Sequence, residues 1–319
     1  MIDIGQILTD EQENQDIWFK SEMTHRQFAS LSLKLVSSEI EKEIINLEHF
    51  QKRITKAKNL NLGVTEKWLK NSWNTENVLI QNKSIIENTG QSFAMQWAFP
   101  QAYYSTFGSL LAHFKALGYT QESHKAVLRN FSTLVEQNKF PRSISFYCTG
   151  GKKNIEFVNI TKPNDLESFE FDTENIRTID NQICQFLNAT REIKLNEKAP
   201  DLKFTNRNGQ KRKKLSPAMW QQVSNAIGNT TIMDLLYRKR IKANYQDIET
   251  FSTPKFKGIQ VLSNLSEIVN ILNFINESYI AKAIGIDNYE KILNSYLKSV
   301  NNEIVKLRFE TTKKIINTL

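Results

Sequence analysis

Histidine, cysteine and clustered basic side chains are the groups in this chain with the means to do chemistry. The four histidines are His25, His49, His113 and His124, and no two of them stand at zinc-ligand spacing. The two cysteines, Cys148 and Cys184, form no CxxC pair, so neither a disulfide framework nor a zinc site is predicted. A cysteine nucleophile needs a histidine and an orienting group beside it. Cys148 falls in a predicted strand, where a buried thiol is the ordinary state. Phosphate-loop, GxGxxG, HExxH and GxSxG patterns are all missing. The reading assigns no metal and no cofactor.

The basic residues are concentrated. Between Asp201 and Tyr245 stand ten of them: Lys203, Arg207, Lys211, Arg212, Lys213, Lys214, Arg238, Lys239, Arg240 and Lys242. Only Asp201 and Asp234 oppose them, so this stretch holds the whole formal excess of +8. Such a segment attracts polyanions by counterion release, or else forms a solvated loop and helix face. Arg207, Lys211, Arg212, Lys213, Lys214, Arg238, Lys239 and Lys242 are the candidate nucleic-acid contacts. Arg240, Asn244 and Asp247 share one side of a predicted helix. They could line a polar groove, or Arg240 could pair with Asp247.

The elements that must position these groups read as helices. With 40% hydrophobic residues the chain can bury a core, and Gly and Pro are scarce at 11 and 6 of 319 residues. Leu33, Val36, Ile40, Ile44 and Leu47 predict one helix face. Gly63 closes that region, and Thr65 is read as the cap of a following helix. Residues 92–117 are apolar nearly all round, which predicts a central helix kinked or broken at Pro100. A short helix follows from Glu122 to Val135. Two runs flanking Gly150-Gly151 predict a β-hairpin. A helix from Glu174 to Leu195 precedes an exposed, mobile basic loop over 198–214. Ser216-Pro217 opens the next helix. Val261, Leu265, Ile268, Leu272, Ile275 and Tyr279 form a seam at steps of four and three. Tyr289, Leu293, Tyr296, Val300, Ile304 and Leu307 predict one last helix with the same steps, suited to core packing or to self-association.

Two segments carry a resemblance. The first is Trp97-Ala98-Phe99-Pro100-Gln101-Ala102-Tyr103-Tyr104-Ser105-Thr106-Phe107, then Leu110-Leu111, Gly118 and Ser123-His124-Lys125. The second runs from Leu236 to Asp247 through Arg240 and Ala243-Asn244-Tyr245. Together they resemble HEPN domains, with Asn244 where that family usually has Asp. The resemblance implies a mainly α fold, a helical bundle with a small β-hairpin insertion. Residues 1–90 would be an N-terminal helical region. Residues 91–285 would be the HEPN-like domain, interrupted over about 140–228 by the hairpin and basic loop. Residues 286–319 would be a C-terminal helix.

Catalytic HEPN members are metal-independent ribonucleases with an Arg-x4–6-His motif, which this chain lacks. RNA cleavage needs a proton-transfer group and a cation for the phosphate charge. Arg240 could supply the cation, but its helix offers no histidine. The reading therefore leans to a non-catalytic HEPN-like protein that binds RNA or another nucleotide-bearing partner, in phage defence or a toxin–antitoxin module. A ribonuclease with a rearranged site built on Arg240, Tyr245 and His124 is the alternative, and a structural subunit, or a homodimer through the helices, a third. Tyr103 and Tyr104 could stack bases or sit in the core, and His124 could act in catalysis or only pack near a helix cap. No apolar run reaches membrane-spanning length, and the N-terminus lacks signal-peptide character, so a cytoplasmic protein is expected.

Overall fold

The computed structural model describes residues 4–52, 61–89, 95–163, 166, 172–246, 250 and 258–319, with side chains from residue 15 onward. Its architecture is mainly α. Twelve helices among the described residues surround one small sheet. They are α1 (Ile4–Val36), α2 (Ile40–Asn46), α3 (Glu48–Gln51), α4 (Leu62–Thr89), α5 (Met95–Ala116) and α6 (His124–Glu136). Then come α7 (Ile176–Lys198), α8 (Pro217–Ile227), α9 (Ile232–Tyr245), α10 (Gly258–Ile284), α11 (Ile286–Leu297) and α12 (Glu303–Thr318). Among the described residues no helix is long and apolar enough to cross a membrane.

Helix α5 is the axis, packing against α4, α9 and α10. Its apolar character on nearly every side matches that position, since Ala102, Leu110, Leu111 and Phe114 are all fully buried. Small residues set the crossing with α4. Ser72 Oγ donates to the Ser105 carbonyl at 2.8 Å, and Ser105 Oγ donates back to the Ser72 carbonyl at 3.1 Å. A Cβ on Gly108 would stand 3.2 Å from Ser72 Cβ, so the backbones meet where side chains are smallest. Of the kink or break expected at Pro100, the break does not occur: α5 runs through it. It lies one turn inside the helix, where its missing N–H forgoes only a single backbone bond.

The seam on α10 is consumed inside the chain. Val261, Leu265, Ile268, Leu272, Ile275 and Tyr279 are all buried against α1, α4 and α5. A second cluster joins Leu69 and Trp73 of α4 to Tyr289, Leu293 and Tyr296 of α11 and Phe309 of α12.

Three boundaries differ from the sequence reading. The first helix ends at Val36, which is 56% exposed, and the buried positions there are Phe28, Leu31 and Leu35. Ser37 and Ser38 turn the chain by bonding back to Leu33 and Leu35 carbonyls. Thr65 does not cap α4. Asn61 does, its Oδ1 accepting from Val64 N–H at 3.2 Å, so Gly63 lies in the first turn. The single C-terminal helix is two. The chain leaves α11 at Leu297, and Asn302 starts α12 by accepting from Val305 N–H at 3.2 Å. Heptad-like steps continued across a Ser-Val-Asn-Asn stretch whose side chains compete for backbone hydrogen bonds.

The hairpin forms where Gly150-Gly151 predicts it. Strand β1 (Tyr147–Thr149) pairs antiparallel with β2 (Glu156–Val158), placing Cys148 opposite Phe157. A third strand, β3 (Thr230–Thr231), also pairs antiparallel with β1, giving the order β2-β1-β3. Since β3 runs directly into α9, the hairpin is tied to the start of that helix. Arg191 of α7 is fully buried and locks this junction. It donates to the carbonyls of Gly150 (2.8 Å), Cys148 (3.3 Å) and Gly228 (2.9 Å), to Thr230 Oγ1 (3.2 Å) and to Ser224 Oγ (2.7 Å).

Candidate functional site

Helices α5, α6 and α9 bring one reactive-looking cluster together. Helix α9 starts in a capping box: Thr231 and Asp234 satisfy each other's backbone N–H groups. Its buried face carries Leu235, Leu236, Lys239 and Ala243. Tyr237, Arg240 and Asn244, three and four residues apart, share a different face. Helix α6 starts at His124, capped by Ser123, whose Oγ accepts from Ala126 N–H at 3.3 Å.

The Arg240 guanidinium stands over three rings, at 4.9 Å from Tyr104, 5.6 Å from Tyr237 and 5.7 Å from Tyr103. Among the described residues it forms no ion pair, and its Nε and the Asn244 Oδ1 have no hydrogen-bond partner. The Tyr103 hydroxyl and His124 Nδ1 are hydrogen-bonded at 2.7 Å. The His124 ring also packs on Phe107 at 4.4 Å and Tyr237 at 5.9 Å. Burial first, and the Arg240 charge second, hold the His124 imidazole below its ordinary pKa, so it is neutral at pH 7. Burial pushes the Tyr103 phenol well above the usual range. The cluster therefore offers a fixed cation, a neutral imidazole and a half-open aromatic ring. Tyr104 is 36% exposed, and Trp97, seven residues earlier on the same face of α5, is 53% exposed.

The other predicted residues scatter. Tyr245 is 69% exposed at the end of α9. Asp247 lies outside the described residues. Arg207 and Lys211 to Lys214 are exposed, as read. Their segment folds back on itself as a turn. Asn206 Oδ1 accepts from Asn208 and Gln210 N–H, Thr205 pairs with Lys211, and Gly209 adopts φ +76°. Arg212 is partly spent there, donating from Nε to the Thr205 carbonyl at 3.2 Å. Lys239 is withdrawn from the surface, 7% exposed, with Nζ donating to Thr24 Oγ1 at 2.8 Å and lying over Phe186. The basic count placed it among surface cations, but helical periodicity turns it inward with Leu235 and Leu236. Arg238 donates to Thr190 Oγ1 at 3.0 Å, and with Lys242 it lines a cleft of about 330 Å³ between α6, α7, α8 and α9.

Sequence reading missed two buried arginines. Arg191 falls on the apolar stripe of α7 with Ile183, Leu187 and Leu195, and a charge in such a stripe is the signal that could have found it. Arg308 of α12 is sandwiched between Glu76 of α4 and Glu277 of α10. Its Nη1 is 2.6 Å from Glu76 Oε1 and its Nη2 2.8 Å from Glu277 Oε1. Trp73 Nε1 also donates to Glu277 Oε1 at 2.8 Å. Both arginines hold the fold and neither faces the cluster. No group of three or more His, Cys, Asp or Glu able to hold a metal assembles among the described residues.

Fold and site together define a mainly α-helical bundle with a three-stranded sheet and an arginine–tyrosine–histidine cluster beside a basic cleft. Comparison with known proteins finds no matching family model, curated protein or solved structure.

Proposed function

We propose that this chain is a HEPN-like nucleic-acid-binding protein that holds its ligand without cutting it, with RNA the favoured polymer. The phage-defence or toxin–antitoxin setting comes from the resemblance alone. The observation that carries the binding reading is Arg240, a cation on a platform of tyrosines with no carboxylate paired to it among the described residues. Its charge suits a phosphate, and the exposed faces of Tyr104 and Trp97 suit unpaired bases. Exposed Arg207, Lys211, Lys213 and Lys214 add sequence-independent attraction. Fluorescence anisotropy on a labelled RNA tests this. Replacing Lys211 to Lys214 with Gln is expected to flatten the plot of log affinity against log salt by about 2 to 3 units, at roughly 0.7 per phosphate contact. An unchanged slope would remove the basic turn from the interface.

One observation favours a second reading, a metal-independent ribonuclease. His124 and Arg240 come from different helices yet meet around Tyr103, Tyr104 and Tyr237. A neutral imidazole beside a cation is the pairing that 2′-hydroxyl attack requires. Incubation with RNA in the presence of EDTA decides. Cleavage lost in both Arg240→Ala and His124→Ala supports the enzyme. Equal cleavage by wild type and both variants identifies a contaminant.

A further inference from the structure

The cleft between α6, α7, α8 and α9 is a second site, built unlike the Arg240 platform. Its walls are apolar, from Ile193 of α7, Ala226 and Ile227 of α8 and Ile241 of α9. Its volume of about 330 Å³ falls at the lower end of the range of small-molecule sites, about 300–1,000 Å³. Six basic side chains line it, against the three acids Glu197, Asp201 and Asp234. Two of those acids are already paired, Asp234 with Lys194 at 2.6 Å and the exposed Asp201 with Lys198 at 3.0 Å. Asp234 is further occupied by Thr231, whose backbone N–H and hydroxyl both bond its second oxygen. Lys125 and Arg129, one turn apart on α6, are exposed at the mouth and form no ion pair among the described residues. Arg238 and Lys242 of α9 also line the cleft, Arg238 donating to Thr190 Oγ1 at 3.0 Å.

From this arrangement we infer that the cleft binds a compact amphiphilic anion, an apolar body of about eight to ten carbons carrying one carboxylate or phosphate headgroup. The body replaces water against the side chains of Ile193, Ile227 and Ile241. The headgroup lies beside Lys125 and Arg129, since Lys194 and Lys198 of the same lining are already paired with Asp234 and Asp201. A neutral ligand of the same shape would gain only the wall contacts. A cationic one would face the mouth charges unfavourably.

The fluorescent anion 8-anilinonaphthalene-1-sulfonate, with displacement by octanoate, octyl phosphate and octanol, tests this on the full chain. Saturable binding of one dye is expected. Octanoate or octyl phosphate should displace it at concentrations at least tenfold below octanol, and whichever acid competes better identifies the headgroup. Lys125→Gln with Arg129→Gln should weaken the acids at least tenfold and leave octanol unchanged. Ala226→Phe, which fills the cleft, should abolish displacement by all three. The octanoate-to-octanol ratio on the wild-type chain needs no variant, so a misfolded Ala226→Phe protein leaves the test intact. Equal competition by octanol and the acids, absence of saturable dye binding, or wild-type behaviour in a folded Ala226→Phe protein would each overturn the inference. RNA binding is read separately, so its failure would not bear on this site.

Discussion

At the scale of single residues, the least expected side chains are charged or titratable groups that the bundle has swallowed. His113 of α5 is stacked on Tyr279 at 4.7 Å, with Nδ1 3.2 Å from Asn276 Oδ1. Burial pushes its pKa down from 6.5 to about 3. Unfolding therefore takes up a proton between those values, so its stabilising contribution is complete above pH 6.5 and drains as pH falls toward 3. Urea melts should show about 2 to 3 kcal/mol more loss between pH 6.5 and 4.5 in wild type than in His113→Gln. Equal losses would mean the imidazole is not buried in its neutral form. The comparison with the variant matters because Glu277 works in the opposite sense: burial raises its carboxyl pKa, favouring the folded state at low pH. Arg308 counters that shift and is the only cation in the Glu76–Glu277 pair's described salt bridges. Arg308→Met strands two buried carboxylates and should cost about 3 to 5 kcal/mol by chemical denaturation. A cost below about 1 kcal/mol would show that the carboxylates take protons and need no cation.

At the scale of elements, the hairpin and α9 stand or fall together. Gly150 sits at φ +89°, and a Cβ there would lie 1.8 Å from the Asn154 carbonyl oxygen. Gly150→Ala must reshape the β1–β2 turn and release the carbonyl that Arg191 Nε holds. We expect both Gly150→Ala and Arg191→Lys to destabilise by roughly 2 to 4 kcal/mol, since an ammonium cannot reproduce five bonds in a planar fork. Hydrogen exchange should then be faster in β1 and in the first turn of α9 together. Faster exchange in the hairpin alone would separate the two. Periodicity made most helices legible, and Gly150-Gly151 marked the hairpin. The third strand was not legible, because Thr230-Thr231 is two residues long and its partner lies about eighty residues upstream. Breaks at Ser37-Ser38 and near Asn302 were missed because apolar steps of three and four run straight through them.

At the scale of the whole molecule, the sequence placed Arg240 and His124 on separate helices, and the packing of α5, α6 and α9 brings both against Tyr103, Tyr104 and Tyr237. The two segments that carry the resemblance to HEPN domains gave no distance between those residues. Counting charge found the exposed turn at Arg207 to Lys214. It also counted Lys239, which the helix period buries, and Arg238, which is hydrogen-bonded in the cleft wall. The binding reading thus centres on the Arg240 platform, with the basic turn as an electrostatic aid. Its most direct test is RNA affinity across a salt series for wild type and Arg240→Ala, with circular dichroism confirming the fold of each. The account predicts binding that weakens steeply with salt, and a further loss of at least tenfold in Arg240→Ala at every salt concentration. Undetectable binding at low salt, or equal affinity of the two proteins throughout, would contradict it.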